Sequence, residues 1–176
     1  MKPTRLLFSA LSIGAAAVLL SCGDPGPAAP DLRGPGLEAS RGNSGGSPTG
    51  LLECRPLAYD SVSQMVGRLG AVLRVSKHTL LIPPLALSRP VKITLVVPSD
   101  TVNVIQFQPE GLVFYVPLRL TMSYVNCNVG TSTDPRKIAY TNDSLAILEY
   151  EPSVDDAVGK KVTASVTHFS AYAVSW

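Results

Sequence analysis

The chain has 176 residues, carries 15 Lys and Arg against 13 Asp and Glu, and has a net charge of +2. Residues 1–21 contain two of the positive charges and none of the negative ones, so the rest of the chain is neutral overall. Balanced and scattered charge excludes an electrostatic basis for nucleic-acid binding, and no nucleic-acid partner is expected. The remaining length suits one domain with a tail.

The N-terminal segment has the features of a secretion signal. Lys2 and Arg5 precede an unbroken run of apolar and small residues over positions 6–20. That run is shorter than the roughly 20 apolar residues that a membrane-spanning helix needs, and a small residue before a cleavage point is typical of a signal peptide. The following Leu19-Leu20-Ser21-Cys22 resembles a bacterial lipobox.

This resemblance implies that residues 1–21 are removed and that Cys22 is lipidated on its thiol and on its new amino group. It also implies an extracytoplasmic protein, lipid-anchored to a membrane of the cell envelope, with the choice of inner or outer membrane left open. An ordinary signal or anchor with an incidental cysteine is the alternative. Residues 22–50 then form a flexible tether, since 16 of the 28 residues in positions 23–50 are Gly, Pro or Ser.

Two cysteines follow the tether, Cys54 and Cys127. An oxidising compartment favours a disulfide between them, with two free thiols as the alternative. A zinc site is disfavoured because the chain has no Cys-x-x-Cys pair and only two histidines. No metal and no cofactor are therefore expected.

Residues 51–176 have the pattern of an all-β domain. Short β-rich runs alternate with clusters of Gly, Pro, Asn and Asp, and no long window has a helical period. The pattern predicts an antiparallel β-sandwich of roughly nine or ten strands with Greek-key elements. The predicted strands cover residues 61–66, 71–75, 78–82, 91–97, 102–108, 118–124, 138–141, 144–150 and 161–176, with the first two paired to each other.

The last predicted strand has chemistry-bearing residues on its apolar side. Counted at period two, His168 and Ser170 fall on the same side as Tyr172, Val174 and Trp176. Phe169 lies between them and is predicted to pack on the opposite face. The stretch therefore reads as one half-buried strand that ends the domain.

Three segments, taken in order, resemble a ZU5-like domain. They are Ile82-Pro-Pro-Leu-Ala-Leu-Ser-Arg-Pro-Val-Lys-Ile-Thr-Leu95, then Phe107-Gln-Pro-Glu-Gly-Leu-Val-Phe-Tyr-Val-Pro-Leu-Arg-Leu-Thr-Met-Ser-Tyr124, then His168-Phe169-Ser170-Ala171-Tyr172. The resemblance covers residues 61–176. It implies a β-sandwich that serves as a protein-interaction or packing module and does not imply a small-molecule enzyme.

Some members of this fold group cut themselves at His-Phe-Ser. By that resemblance Ser170 would attack the carbonyl carbon of Phe169, and His168 would help to remove the hydroxyl proton. The alternative is structural, with His168 and Ser170 as hydrogen-bonded polar groups near the end of a core strand.

The expected function is thus that of a membrane-anchored binding or structural module in the cell envelope, with an envelope protein or a wall component as partner. Self-cleavage between Phe169 and Ser170 is the first alternative, and contact with cell wall or carbohydrate is the second. The second would need an exposed aromatic platform, whereas Trp176, the only tryptophan, is predicted to point inward. Contacts are expected in the exposed loops at residues 83–89 and 126–137.

Overall fold

The structure is a computed structural model that describes residues 49–176. The predicted signal peptide, the lipidation site Cys22 and the tether up to residue 48 lie outside the described residues. No helix able to cross a membrane is found in the part of the chain that the structure describes. That part contains no α-helix at all, as the sequence pattern predicts.

The described residues form eleven β-strands. In chain order they are β1 Asp60–Val66, β2 Ala71–Val75, β3 His78–Ile82, β4 Val91–Val97, β5 Val104–Gln108, β6 Val113–Ser123, β7 Lys137–Thr141, β8 Ile147–Glu151, β9 Ser153–Asp156, β10 Lys161–His168 and β11 Ala171–Ser175.

These strands make two antiparallel sheets that pack face to face, so the predicted β-sandwich is confirmed. One sheet has six strands in the order β1-β4-β5-β11-β7-β8, and the other has five in the order β2-β3-β6-β10-β9. After β7 the chain passes through β8, β9 and β10 before β11 returns beside β7. Such returns are the crossed connections of Greek-key sandwiches.

The core lies between the sheets because alternate strand residues point inward. In β4, for example, Ile93, Leu95 and Val97 are almost fully buried, whereas Lys92 is exposed. Strand β6 repeats the pattern with Leu118, Leu120 and Met122 buried and Arg119 exposed. The main favourable term for such a core is the burial of apolar surface, which contributes about 25 cal/mol for each Å² removed from water.

The predicted pairing of the first two strands is wrong. Strand β1 pairs with β4 in the six-stranded sheet, whereas β2 pairs with β3 in the five-stranded sheet. The intervening segment crosses from one sheet to the other, and Gly70 at its end adopts a φ of +73°. A Cβ at Gly70 would overlap the carbonyl oxygen of Ile82 and the backbone of Pro83, so this crossing requires glycine.

The last sixteen residues form two strands and not the single strand predicted. Strand β10 ends at His168 in the five-stranded sheet, and β11 begins at Ala171 in the six-stranded sheet. Phe169 is only 1% exposed and belongs to the main core, so its predicted place on the opposite face is also wrong. Because the chain changes sheets here, one unbroken period of two cannot assign the faces across residues 169 and 170.

The N-terminal entry to the domain is fixed to β11 and to the residue that follows it. The Leu52 N–H donates to Val174 O at 3.0 Å, and the Trp176 N–H donates to Gly50 O at 3.1 Å. The predicted disulfide is present between Cys54 and Cys127, which lie 73 positions apart and form an isolated antiparallel bridge. Closing a loop of that length restricts the unfolded chain by about 4 kcal/mol in the chain-entropy model.

Candidate functional site

Three backbone hydrogen bonds hold the His168-Phe169-Ser170 segment where the chain changes sheets. The Phe169 N–H donates to Leu112 O at 2.8 Å, and the Gly111 N–H donates to Phe169 O at 2.9 Å. Ser170 O accepts from the Phe107 N–H at 3.1 Å. The turn that carries Gly111, which has a φ of +72°, thus presents a donor to the Phe169 carbonyl oxygen.

The Phe169 side chain is an anchor of the core. Its ring stacks on Phe107 with the centroids 4.9 Å apart, and it meets the edge of Phe114 at 4.7 Å. Pairs of this geometry add to the free energy gained by burial alone. The segment therefore has a structural role whether or not it also carries chemistry.

The His168 ring is directed toward tyrosines and not toward Ser170. The Tyr172 hydroxyl donates to the His168 carbonyl at 2.9 Å and lies 3.4 Å from Nε2 of the same residue. The Tyr140 ring meets the imidazole edge-on at 5.0 Å. Among residues 49–176, no hydrogen bond joins the imidazole to the Ser170 hydroxyl, although a general base works at about 2.6–3.2 Å.

The hydroxyl of Tyr172 is held in its neutral, donating form. Burial raises its pKa, and the nearby carboxylate of Glu151 raises it further. A neutral phenol can donate to the His168 carbonyl over the whole physiological pH range. The contact between Tyr172 and His168 is consequently a fixed structural hydrogen bond.

Ser170 is placed differently from its neighbours. The residue is 8% exposed and is one of the residues that line a surface pocket beside β5. No hydrogen bond within the described residues uses its hydroxyl group. The tripeptide is therefore split, with Phe169 in the core, His168 among tyrosines and Ser170 at a pocket.

A second feature lies on the outer face of the five-stranded sheet, where β6 bulges. Its register against β10 jumps from Leu118 opposite Val166 to Val113 opposite His168, so residues 114–117 face Thr167 alone. The bulge leaves Tyr115 78% exposed. Its position is fixed by a 3.2 Å hydrogen bond from the Tyr115 N–H to Ala86 O.

Next to this bulge lies a groove of about 390 Å³, here named the proline groove. Arg119 from β6 and Ser165 from β10 are among its polar lining residues. Its apolar lining consists chiefly of Leu81, Pro83, Val116, Pro117, Pro152 and Val154.

Sequence reasoning did not find the proline groove, because a strand with apolar residues on both faces reads as core. Val113 and Tyr115 fall on the outward side of β6 together with Arg119, and that parity was the available signal. Val154 lies in β9, a strand that the sequence pattern did not predict, and is 76% exposed.

The two loops at residues 83–89 and 126–137, which were expected to make contacts, differ in how strongly they are bound to the rest of the domain. In the first, Leu85 is 59% exposed while the adjacent Ala86 is fully buried. The second is closed at its base by Arg136, which is 5% exposed and donates hydrogen bonds to the carbonyl oxygens of Asp134 and Ser132. The Arg136 guanidinium also lies 4.3 Å above the Trp176 ring, so this base is a structural cluster.

Within the same described residues, no three His, Cys, Asp or Glu side chains are grouped as metal ligands. In the comparisons with known proteins, no family model matches the chain and no curated protein sequence matches it.

Proposed function

We propose that this protein is a lipoprotein of the bacterial cell envelope whose ZU5-like β-sandwich binds another envelope protein through the proline groove. The membrane attachment rests on the lipobox resemblance at Cys22, and the domain type rests on the three resembling segments. The binding role is supported by the apolar residues exposed side by side on one sheet face.

The observation that carries this proposal is the exposure of Leu81, Val116 and Val154 around one concave surface. Soluble domains seldom leave apolar side chains clustered on a surface without a use for them, since covering such a cluster releases water. The groove suits an extended apolar segment of the partner.

Site-specific photo-crosslinking tests the surface directly. A photoreactive residue at position 154 is expected to capture a defined envelope protein, and a Val116→Ser, Val154→Ser variant is expected to lose most retention of that protein. Val158→Ser is the matched control, because Val158 is 98% exposed yet does not line the groove. Equal loss in the control, or unchanged retention in the groove variant, contradicts the proposal.

The anchor is tested separately. Mass spectrometry of the mature protein is expected to find Cys22 as the N-terminal residue with its acyl groups, and Cys22→Ser is expected to release the protein from membranes. A soluble wild-type protein with an unmodified Cys22 contradicts the lipoprotein assignment and leaves the groove proposal to its own test.

Self-cleavage is the second candidate, and a specific contact favours it. The Phe169 carbonyl oxygen accepts a hydrogen bond from Gly111 at the atom where negative charge would develop if Ser170 attacked. The Ser170 Oγ–C bond would form as the Phe169–Ser170 amide bond breaks, with the hydroxyl proton passing to the released amine. Water would then hydrolyse the ester and leave Ser170 as a new N-terminus.

This candidate requires the His168 ring to turn away from Tyr172 toward Ser170. Intact mass under denaturing conditions decides the matter. A cut is expected to yield two fragments in the wild type and one chain in Ser170→Ala. A single full-length species in both proteins rejects self-cleavage. The wall-contact alternative has a separate test, since it would be favoured by retention of the domain on purified cell wall.

A further inference from the structure

The proline groove crosses the five-stranded sheet with a single cation near its middle. Arg119 lies in β6, the central strand of the order β2-β3-β6-β10-β9. The register places Leu81 of β3 opposite Arg119 on one side and Ser165 of β10 opposite it on the other. Arg119 is exposed, and no other residue that lines the groove in the described part of the chain is charged.

Apolar side chains flank this cation on both sides. Leu81 and Pro83 lie on the β3 side, and Pro152 and Val154 lie on the β9 side. Three interstrand spacings separate β3 from β9, so the groove spans about 14 Å at about 4.8 Å per spacing. An extended segment of about five residues covers that width, because it rises about 3.3 Å per residue. Since alternate side chains face the sheet, apolar residues two places before and two places after a central one would meet the apolar side chains of the groove.

The Arg119 guanidinium has no protein partner within residues 49–176. None of its N–H groups takes part in a hydrogen bond, an ion pair or a ring contact there. A guanidinium is a planar fork of donors that fits a carboxylate in a bidentate manner. Apolar neighbours screen such a pair less than water does. A carboxylate supplied by the partner would therefore interact favourably with Arg119 once the groove is covered.

The charge of the surrounding sheet face favours an acidic partner over a second copy of this chain. The outward-facing strand positions carry one carboxylate in the described chain, Asp156. They carry three cations, Arg74, Arg119 and Lys161. Two copies packed through this face would bring like charges together, which opposes association. A negatively charged partner would instead be attracted.

The prolines restrict how an anionic group can be held. Pro83, Pro117 and Pro152 present no N–H group to the groove. A terminal carboxylate is usually captured by several backbone N–H groups, and strand addition needs a free sheet edge. Arg119 lies in the central strand and not at an edge. The groove is therefore suited to the side chain of an internal Asp or Glu residue.

We propose that the proline groove binds an extended segment of the partner in which one Asp or Glu pairs with Arg119. Apolar residues two positions to either side of that acidic residue contact Leu81 and Val154. This preference rests on the proposed binding of a partner in the same groove, and it adds the charge and the spacing of the bound segment.

A matched pair of peptides tests the charge. The probe is an acetylated, amidated peptide with the core Val-Thr-Glu-Thr-Val, and its neutral form has Gln in place of Glu. Each is titrated into the isotopically labelled full chain with its disulfide intact, and NMR follows the backbone amide signals of Thr163 and Ser165, which line the groove. Saturable shifts are expected with the Glu peptide. The Gln peptide is expected to bind at least about tenfold more weakly, because it lacks the charge.

Reversal of the protein's charge separates a direct pair from a general field. Arg119→Glu is expected to weaken binding of the Glu peptide by at least about tenfold and to strengthen binding of a peptide with Lys in its place. Arg74→Glu is the matched control, because Arg74 is exposed on the same sheet face but does not line the groove. Equal weakening in the two variants, or no gain of the Lys peptide by Arg119→Glu, contradicts the pair.

The outcomes distinguish the charge pair from the groove itself. Equal, saturable binding of the Glu and Gln peptides overturns the pair with Arg119 and leaves the groove as an apolar docking site. Absence of saturable binding of both peptides also overturns the proposal, while capture of a partner at position 154 still decides the groove. Sedimentation with phosphatidylglycerol vesicles that Arg119→Glu abolishes, without peptide binding, would assign this face to a membrane and likewise overturn it.

Discussion

His78 is a buried residue whose protonation opposes folding. It is 1% exposed, its Nδ1 accepts from the Ser123 N–H at 3.1 Å, and its Nε2 has no partner among the described residues. Burial and, secondarily, the charge of Lys77 lower its pKa from 6.5 to about 4. Between these two pH values the His78 imidazole is therefore protonated in the unfolded chain and neutral in the folded chain.

The sign of the pH effect follows from this difference. The contribution of His78 to stability is fully present above pH 6.5 and falls as the pH is lowered toward 4, by about 3 kcal/mol over that window. Urea unfolding at several pH values measures it. The His78→Asn variant keeps an acceptor for the Ser123 N–H and is expected to lose the extra slope, and an unchanged slope contradicts this assignment.

The crossing between the two sheets is most sensitive to substitution at Gly70. An added methyl group would overlap the backbone at Ile82 and Pro83, and the φ of +73° is unfavourable for alanine. Gly70→Ala is expected to destabilise the domain by at least about 2 kcal/mol more than Gly130→Ala. Gly130 is a suitable control because it has a positive φ of +51° with nothing within 4 Å of an added Cβ. Equal unfolding midpoints for the two variants would disprove the steric argument.

At the scale of the elements, the strands were predictable and their partners were not. Alternation in β4 predicts its bounds and its buried face because one face meets the core. The same alternation continues through residues 168–172 although the chain changes sheets there, so the break between β10 and β11 was invisible. Pairing depends on contacts between residues far apart in sequence, which periodicity within one segment does not contain.

The candidate sites were predictable to different degrees for the same reason. Ser170 was found from its tripeptide, but its exposure to a pocket depends on the turn with Glu110 and the loop with Asp143. The proline groove depends on the bulge in β6, where four residues face one. No short motif signals that bulge, so the parity of β6 alone could not place Val116 and Pro117 on a groove.

The passage from β10 to β11 is expected to depend on the Phe169 ring more than on the polar residues beside it. Phe169→Ala should cost about 3–5 kcal/mol, since it removes a buried ring and leaves a cavity between Phe107 and Phe114. Phe169→Leu should cost less, because it refills part of the space. Denaturant unfolding measures both. A loss below about 1 kcal/mol for the alanine variant would show that the aromatic cluster is not an anchor.

For the whole molecule, the disulfide is the covalent link that limits the unfolded chain. Reduction, or a Cys54→Ala, Cys127→Ala variant, is expected to lower the free energy of unfolding by about 4 kcal/mol, owing to the 73-position separation. Differential scanning calorimetry measures the change. Alkylation of the unreduced, denatured protein should label neither Cys54 nor Cys127, and labelling of both would contradict the bridge.

The same bridge determines how the domain would bear a mechanical load. A pull between residue 49 and Trp176 first unzips the pairing of Gly50 with Trp176, and the load then passes from Cys54 to Cys127. Strands β1 to β6 all lie between these cysteines, so they carry no tension while the bridge is intact. Roughly 250 Å of extended chain stays hidden from the pulling force, at about 3.4 Å per residue. Under oxidising conditions only β7 to β11 can be drawn out, and reduction exposes the whole sandwich to force.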